Sequence, residues 1–165
     1  MEKIFWVCLF WIPMTLNAQE YIPLEDLSFF KSTGKTNWKL AKDASADLSK
    51  KDIFTLTPGT GVLVNLPSEG NMSNLHSAKE YGDVDISFDF MMSAHSNSGF
   101  YLQGRYEVQL LDSWGVLNPT TADCGGIYQR FKQGPPLVTY EGYAPRVNAC
   151  LAPGLWQHID ISFQA

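Results

Sequence analysis

The chain has 165 residues, with 12 Lys and Arg against 17 Asp and Glu, a formal net charge of −5. Its basic residues are scattered, which argues against nucleic acid or anionic lipid as a partner; a neutral ligand fits the balance best. With no linker, repeat or low-complexity tract, this length predicts one domain.

Residues 1–18, MEKIFWVCLFWIPMTLNA, set Lys3 ahead of an apolar run from Ile4 to Ile12 and end on Ala18 after a polar Asn17. That pattern reads as a secretory signal peptide. The run is shorter than the roughly 20 apolar residues of a transmembrane helix, and no later segment comes near that length. An exported domain over 19–165 is therefore expected: periplasmic, cell-surface or secreted. Cys8 belongs to the leader. Two cysteines remain, Cys124 and Cys150, in a compartment that permits disulfides. Bridged, they would close a loop worth about 3.5 kcal/mol in chain entropy. The competing reading, a metal pair, lacks any Cys or His at ligand spacing, so no metal is expected.

In chain order, YIPLEDLSFF (21–30) is the only stretch that could support a short helix; the remainder reads as strands. GVLVNL follows the turn signal PGTG at 58–61. Asn71 opens an Asn-Met-Ser sequon, while Pro119 rules out the one at Asn118. DVDISFDF alternates Val84, Ile86, Phe88 and Phe90 against Asp83, Asp85, Ser87 and Asp89, the mark of a half-buried strand. HIDISFQ near the end is similar. WQHIDISFQA then stops at Ala165 with no closing turn or polar tail, and because complete domains cover an apolar edge, a truncated domain with further strands is expected. Many two-faced strands joined by Gly, Pro, Asn and Ser clusters predict two antiparallel sheets packed face to face.

The most informative stretch is NSGFYLQGRYEVQLLD, Asn97 to Asp112. Read as one strand, it turns Phe100, Leu102, Tyr106, Val108 and Leu110 to one side and Tyr101, Gln103, Arg105, Glu107 and Gln109 to the other. The first series belongs in a sandwich core. The second is either a plain solvated face or a ligand face, and its Tyr, Gln, Arg and Glu side chains are those that grip hydroxyls and sugar rings. Arg105, two residues from Glu107, is expected to hold that carboxylate ionised and oriented. Asp112 either joins Glu107 through a bulge, giving two carboxylates for acid and base work, or caps the turn at DSWG. His95, in the loop before this strand, is a titratable candidate or an exposed loop residue. His76 and His158 have no motif around them. Trp38 and Trp156 read as core, and Trp114 as either core or a sugar-stacking platform.

The segments TNWKL, PGTGVLV, NSGFYLQGRYEVQLLDSWG, CGGIY and PRVNACLAPGLWQHIDISF occur in an order and spacing that resemble the 3-keto-disaccharide hydrolase domain family, from about Leu24 to the last residue. The most specific part is Asn97, Ser98, Gly99, Arg105, Tyr106, Glu107, Val108, Gln109 and Asp112, supported by Gly125, Tyr128, Asn148, Pro153, Gly154 and Trp156. The resemblance implies a concanavalin-like jelly roll, an exported bacterial protein, and action on glycosides oxidised at C3 of the sugar. It also implies a sugar 3-dehydrogenase acting upstream, and it calls for no cofactor.

A ketone at C3 acidifies the proton on C2, so one carboxylate can remove it while the glycosidic oxygen leaves C1. Chemistry then casts Glu107 as the base, Arg105 and Gln109 as contacts to the enolate and hydroxyls, and Tyr128, Asp112 or His95 as the proton donor. Tyr101, Gln103 and Trp114 complete the expected substrate contacts. Two other readings stand beside this one. A lectin-like module would bind an intact glycan on the same face. A two-carboxylate glycosidase would need an acid where Gln109 stands.

Overall fold

The computed structural model describes residues 19–66, 73–132 and 134–165; the leader with Cys8 and the Asn71 sequon lie outside the described residues. Among the described residues ten strands follow one another: β1 (Phe30–Ser32), β2 (Trp38–Ala46), β3 (Phe54–Asn65), β4 (Leu75–Ser77), β5 (Val84–Met91), β6 (Asn97–Leu102), β7 (Tyr106–Leu111), β8 (Arg130–Lys132), β9 (Val138–Tyr140) and β10 (Trp156–Phe163). They pair antiparallel as β1–β4, β2–β3, β5–β10, β6–β7 and β8–β9. The described residues contain no helix, so the fold is all-β as the periodicity requires. YIPLEDLSFF forms bends and a turn leading into β1, not a helix.

Period-two alternation does its work most plainly in β5 and β10. Directly opposed residues of an antiparallel pair share a face, and the register sets Val84 against Phe163, Ile86 against Ile161, and Phe88 against Ile159. That apolar face meets the apolar face of β6–β7: Phe88 stacks on Phe100 at 5.2 Å and Tyr106 meets Phe163 at 6.0 Å. Leu102, Val108 and Leu110 are buried beneath the contact. The result is the face-to-face layering of a β-sandwich. Ala41, Ala44 and Val64 form a second buried cluster in β2–β3, flanked by Phe54, Leu56, Val62 and Leu66.

Three expectations are corrected here. PGTG is not a turn between strands. It lies inside β3, where the ladder jumps from Ala41↔Val62 to Asp43↔Thr57, so Pro58–Gly61 bulge out opposite Lys42 alone. Trp156 is 43% exposed at the start of β10 and is no core residue, and Tyr106 is likewise 43% exposed; Trp38 is half-buried. Asn97–Asp112 is not one strand but a hairpin, reversed at Gln103, Gly104 and Arg105. Gln103 and Gly104 both take positive φ, 51° and 61°, and the Arg105 amide donates to the Leu102 carbonyl at 3.0 Å. Positive φ at both central residues is what the mirror-image turn of a twisted hairpin demands.

The outer face of β5–β10 carries the remaining chemistry of that layer. The His158 ring meets Asp89 Oδ1 at 2.7 Å through Nδ1 and Asp160 Oδ1 at 3.1 Å through Nε2, with Ser87 Oγ 3.2 Å from Nε2. The two carboxylates, Asp89 foremost, raise the His158 pKa above its ordinary value. A raised histidine contributes stability that is complete below its unfolded pKa, near 6.5, and is lost as pH rises through the folded value. NMR titration of His158 should give a midpoint above 6.5, and Asp89→Asn should lower it more than Asp160→Asn does.

Candidate functional site

Strand β7 is hydrogen-bonded on both edges. On one side β6 sets Tyr101 directly opposite Glu107 and Gly99 opposite Gln109. On the other, the segment Gly125–Tyr128 continues the ladder: the Gln109 amide donates to Gly126 O at 2.8 Å and the Tyr128 amide to Glu107 O at 2.9 Å. Glu107 therefore projects between two tyrosines on neighbouring chain segments. Tyr101, Gly104, Arg105, Glu107, Tyr128, Gln129, Arg130 and Phe131 line an open groove of about 340 Å³, within the size range of small-ligand sites. A smaller hollow of about 130 Å³ at Ile22–Phe29 is formed by one continuous segment and gathers no convergent groups.

Two contacts set the carboxylate. The Tyr101 hydroxyl donates to Glu107 Oε2 at 2.7 Å. The rest of the side chain lies over Gly99, where a Cβ would come within 2.8 Å of both Cγ and Cδ and nearer still to Oε1. Only a residue without a side chain leaves room for that pose. Partial burial of a side chain that is still 49% exposed, and then the bond to Glu107, push the Tyr101 phenol up to about 12. It stays protonated and donating across the physiological range. Tyr101 and Tyr128 both line the groove.

The expected residues separate into two groups. Tyr101, Glu107, Arg105 and Tyr128 converge on the groove. Arg105 does so from the turn, not from the strand face, and makes no ion pair with Glu107 within 4 Å; Tyr101 is what orients the carboxylate. Gln103 sits exposed in the same turn and is not among the lining residues. Gln109 is 4% exposed, and its Nε2 donates to Asn97 Oδ1 at 3.1 Å, so it serves the sheet and not the groove.

Asp112 caps the loop: Oδ2 accepts the His95 amide at 2.8 Å and Oδ1 the Trp114 amide at 3.4 Å. Of the two readings for Asp112, the geometry supports the cap, and neither Asp112 nor His95 lines the groove. His95 has a positive φ of 61° and is exposed. Trp114 is 54% exposed on that loop, outside the groove lining.

Cys124 and Cys150 face each other as thiols. Each sulfur acts on the other, pushing the Cys124 thiol up, with burial adding to it, and pulling Cys150 down; Cys150 Sγ donates to Leu111 O at 3.4 Å. Asn148 braces this corner: its Nδ2 donates to Ser113 O at 2.6 Å and Val116 O at 3.0 Å, and its Oδ1 accepts the Cys150 amide at 3.1 Å. Among the described residues no cluster of three or more metal-binding side chains occurs.

Sequence reasoning missed Gln129, Arg130 and Phe131. They follow Tyr128 into β8, and their only signal was adjacency to a residue already singled out. Arg130 sits over the Tyr140 ring at 4.1 Å and the Tyr106 ring at 5.5 Å, two cation–π contacts that no periodicity announces.

Fold and groove together define a class: an all-β sandwich domain that presents one carboxylate in a groove of sugar size. Within that class, the chain belongs to the 3-keto-alpha-glucoside-1,2-lyase-like domain family, whose model matches residues 25–165. No curated protein and no solved structure matches the chain. The resemblance of the chain to this family is thereby upheld.

The held carboxylate has a measurable signature. Spectrophotometric titration, with Tyr101→Phe used to isolate the signal, should place the Tyr101 phenol near 12. In Glu107→Gln the midpoint should fall part of the way toward the ordinary value of about 10, because burial remains when the carboxylate is gone.

Proposed function

We propose that this domain cleaves the glycosidic bond of 3-keto-glycosides by elimination across C1 and C2 of the oxidised sugar. The observation that carries this reading is the single carboxylate in the groove, Glu107, oriented by Tyr101 and flanked by Tyr128. Hydrolysis of an ordinary glycoside calls for two carboxyl groups about 5–9.5 Å apart, and no second carboxylate lines the groove among the described residues. Elimination next to a ketone needs only one base. The family description, a 1,2-lyase of 3-keto-alpha-glucosides, supports the same chemistry.

Glu107 takes the C2 proton; the C–H electrons form the C1=C2 bond as the C1–O bond breaks. The departing oxygen takes a proton from the Tyr128 hydroxyl, and charge building on the C3 oxygen meets the Arg105 guanidinium. Addition of water to the unsaturated product would complete a net hydrolysis. No redox change occurs in these steps, so the C3 ketone has to be made beforehand. A sugar 3-dehydrogenase acting upstream, with this domain exported by its leader into the same compartment, completes the reading.

The test incubates the full chain with a 3-keto-α-glucoside and with its unoxidised parent. Cleavage of the keto form alone is expected. Glu107→Gln should lower kcat at least about 100-fold, and Tyr128→Phe by a similar factor. Glu107→Gln within tenfold of wild type would remove the base from this role. Binding of the unoxidised sugar with no cleavage of its keto form would replace the enzyme by a lectin-like module. Gly99→Ala should cost about 100-fold in kcat with an unchanged far-UV CD spectrum, because the added methyl displaces the carboxylate without breaking the ladder.

A further inference from the structure

Cys124 and Cys150 lie outside the groove lining, yet their backbones are tied to one another. Ser113 Oγ accepts the Cys124 amide at 3.2 Å and donates to Asn148 Oδ1 at 3.2 Å, and that oxygen also accepts the Cys150 amide at 3.1 Å. Ser113 is 2% exposed, so the link is sealed in the interior. The two thiols face one another beside the end of β7, where Cys150 Sγ donates to Leu111 O.

The stretch between the two cysteines is the one that completes the groove. Tyr128, Gln129, Arg130 and Phe131, half of the lining residues, all fall between positions 124 and 150, as do β8 and β9. Its backbone joins β7 through the Gly125 amide on Gln109 O at 2.8 Å, the Gln109 amide on Gly126 O at 2.8 Å and the Tyr128 amide on Glu107 O at 2.9 Å. Beyond these, Ile127 bonds with Tyr143 and β8 pairs with β9, both within the same stretch. Joining its two ends removes loop entropy from every opened state of this part of the groove.

We propose that Cys124 and Cys150 are an oxidation site, and that their disulfide clasps the loop carrying Tyr128, so that a disulfide donor in the surroundings sets how firmly that side of the groove is held. Only the consequence for turnover rests on the elimination reading. Cys124 is buried and Cys150 half-buried, which makes Cys150 the sulfur that a donor reaches first. Its thiolate attacks one sulfur of a small disulfide such as oxidised glutathione and releases one donor thiolate; the Cys124 thiolate then attacks Cys150 Sγ and displaces the second. Two protons and two electrons pass from the cysteines to the donor, whose one disulfide becomes two thiols.

The full chain carrying Cys8→Ser, which keeps Cys124 and Cys150 as its only thiols, tests this after equilibration with oxidised glutathione or with a phosphine reductant. Oxidation should join the Cys124 and Cys150 peptides in a mass map and raise the thermal midpoint by about 5 °C or more. The amides of Ile127, Tyr128 and Tyr143 should exchange with deuterium at least about tenfold more slowly in the oxidised form, with those of β5 and β10 changing less. Cys124→Ala should stop at one glutathione on Cys150, whereas Cys150→Ala should react at least about tenfold more slowly. Two free thiols in oxidised glutathione, or an exchange change spread evenly over all strands, overturns the proposal. With a 3-keto-α-glucoside, reduction should lower kcat by about threefold or more; equal turnover in the two forms overturns the link to Tyr128. Absence of cleavage in both forms, with the disulfide and its local protection present, removes the elimination and leaves the clasp.

Discussion

Everything at this site depends on the double pairing of β7. A strand hydrogen-bonded along both edges cannot slide without breaking two ladders, and a slip of one residue would exchange its two faces. Because β6 holds Tyr101 opposite Glu107 and the next segment holds Tyr128 to the Glu107 carbonyl, the carboxylate is placed between two phenols by backbone geometry alone. The apolar face of the same strand, Val108 and Leu110, is buried, so hydrophobic burial and site geometry demand one and the same register.

On that backbone, small local devices decide the chemistry. Gly99 gives the Glu107 side chain a floor to lie on, and Tyr101 takes up one of its oxygens. A protonated phenol donating to the carboxylate restrains it more closely than a mobile arginine would. Arg105 stands apart in the hairpin turn, at the groove lining and without an ion pair. Asp112 and His95, by contrast, meet through a backbone bond that fixes the loop carrying Trp114. Their conformation is a matter of loop closure.

Much of the fold was legible because alternation survives many local surprises. The hairpin at Gln103–Arg105 was invisible as a reversal: Gln-Gly is a weaker signal than Asn-Gly or Asp-Gly, and three intervening residues keep the parity of the faces intact. Leu102 pairs with Tyr106, so even residues still oppose even residues, and the division of the stretch into polar and apolar series held while the topology changed. PGTG shows the converse. Its residues are strong breakers, yet the flanking strands pair so extensively that the four are expelled as a bulge and form no turn between strands.

The amino-acid order alone fixed the all-β class, the buried series of β7 and the half-buried apolar series of β5 and β10, the family, and Glu107 as the acid of interest. These follow from period two and from residue types read in order, which are properties of neighbours along the chain. Tertiary structure decided which polar residues share the groove. Gln109 bonded sideways to Asn97 on the same face, Asp112 became a cap, and Arg130 arrived from β8 to rest over rings of β7 and β9. Alternation says that a residue leaves the core face, but not what another strand has placed there to meet it; that depends on pairing between segments far apart in the chain.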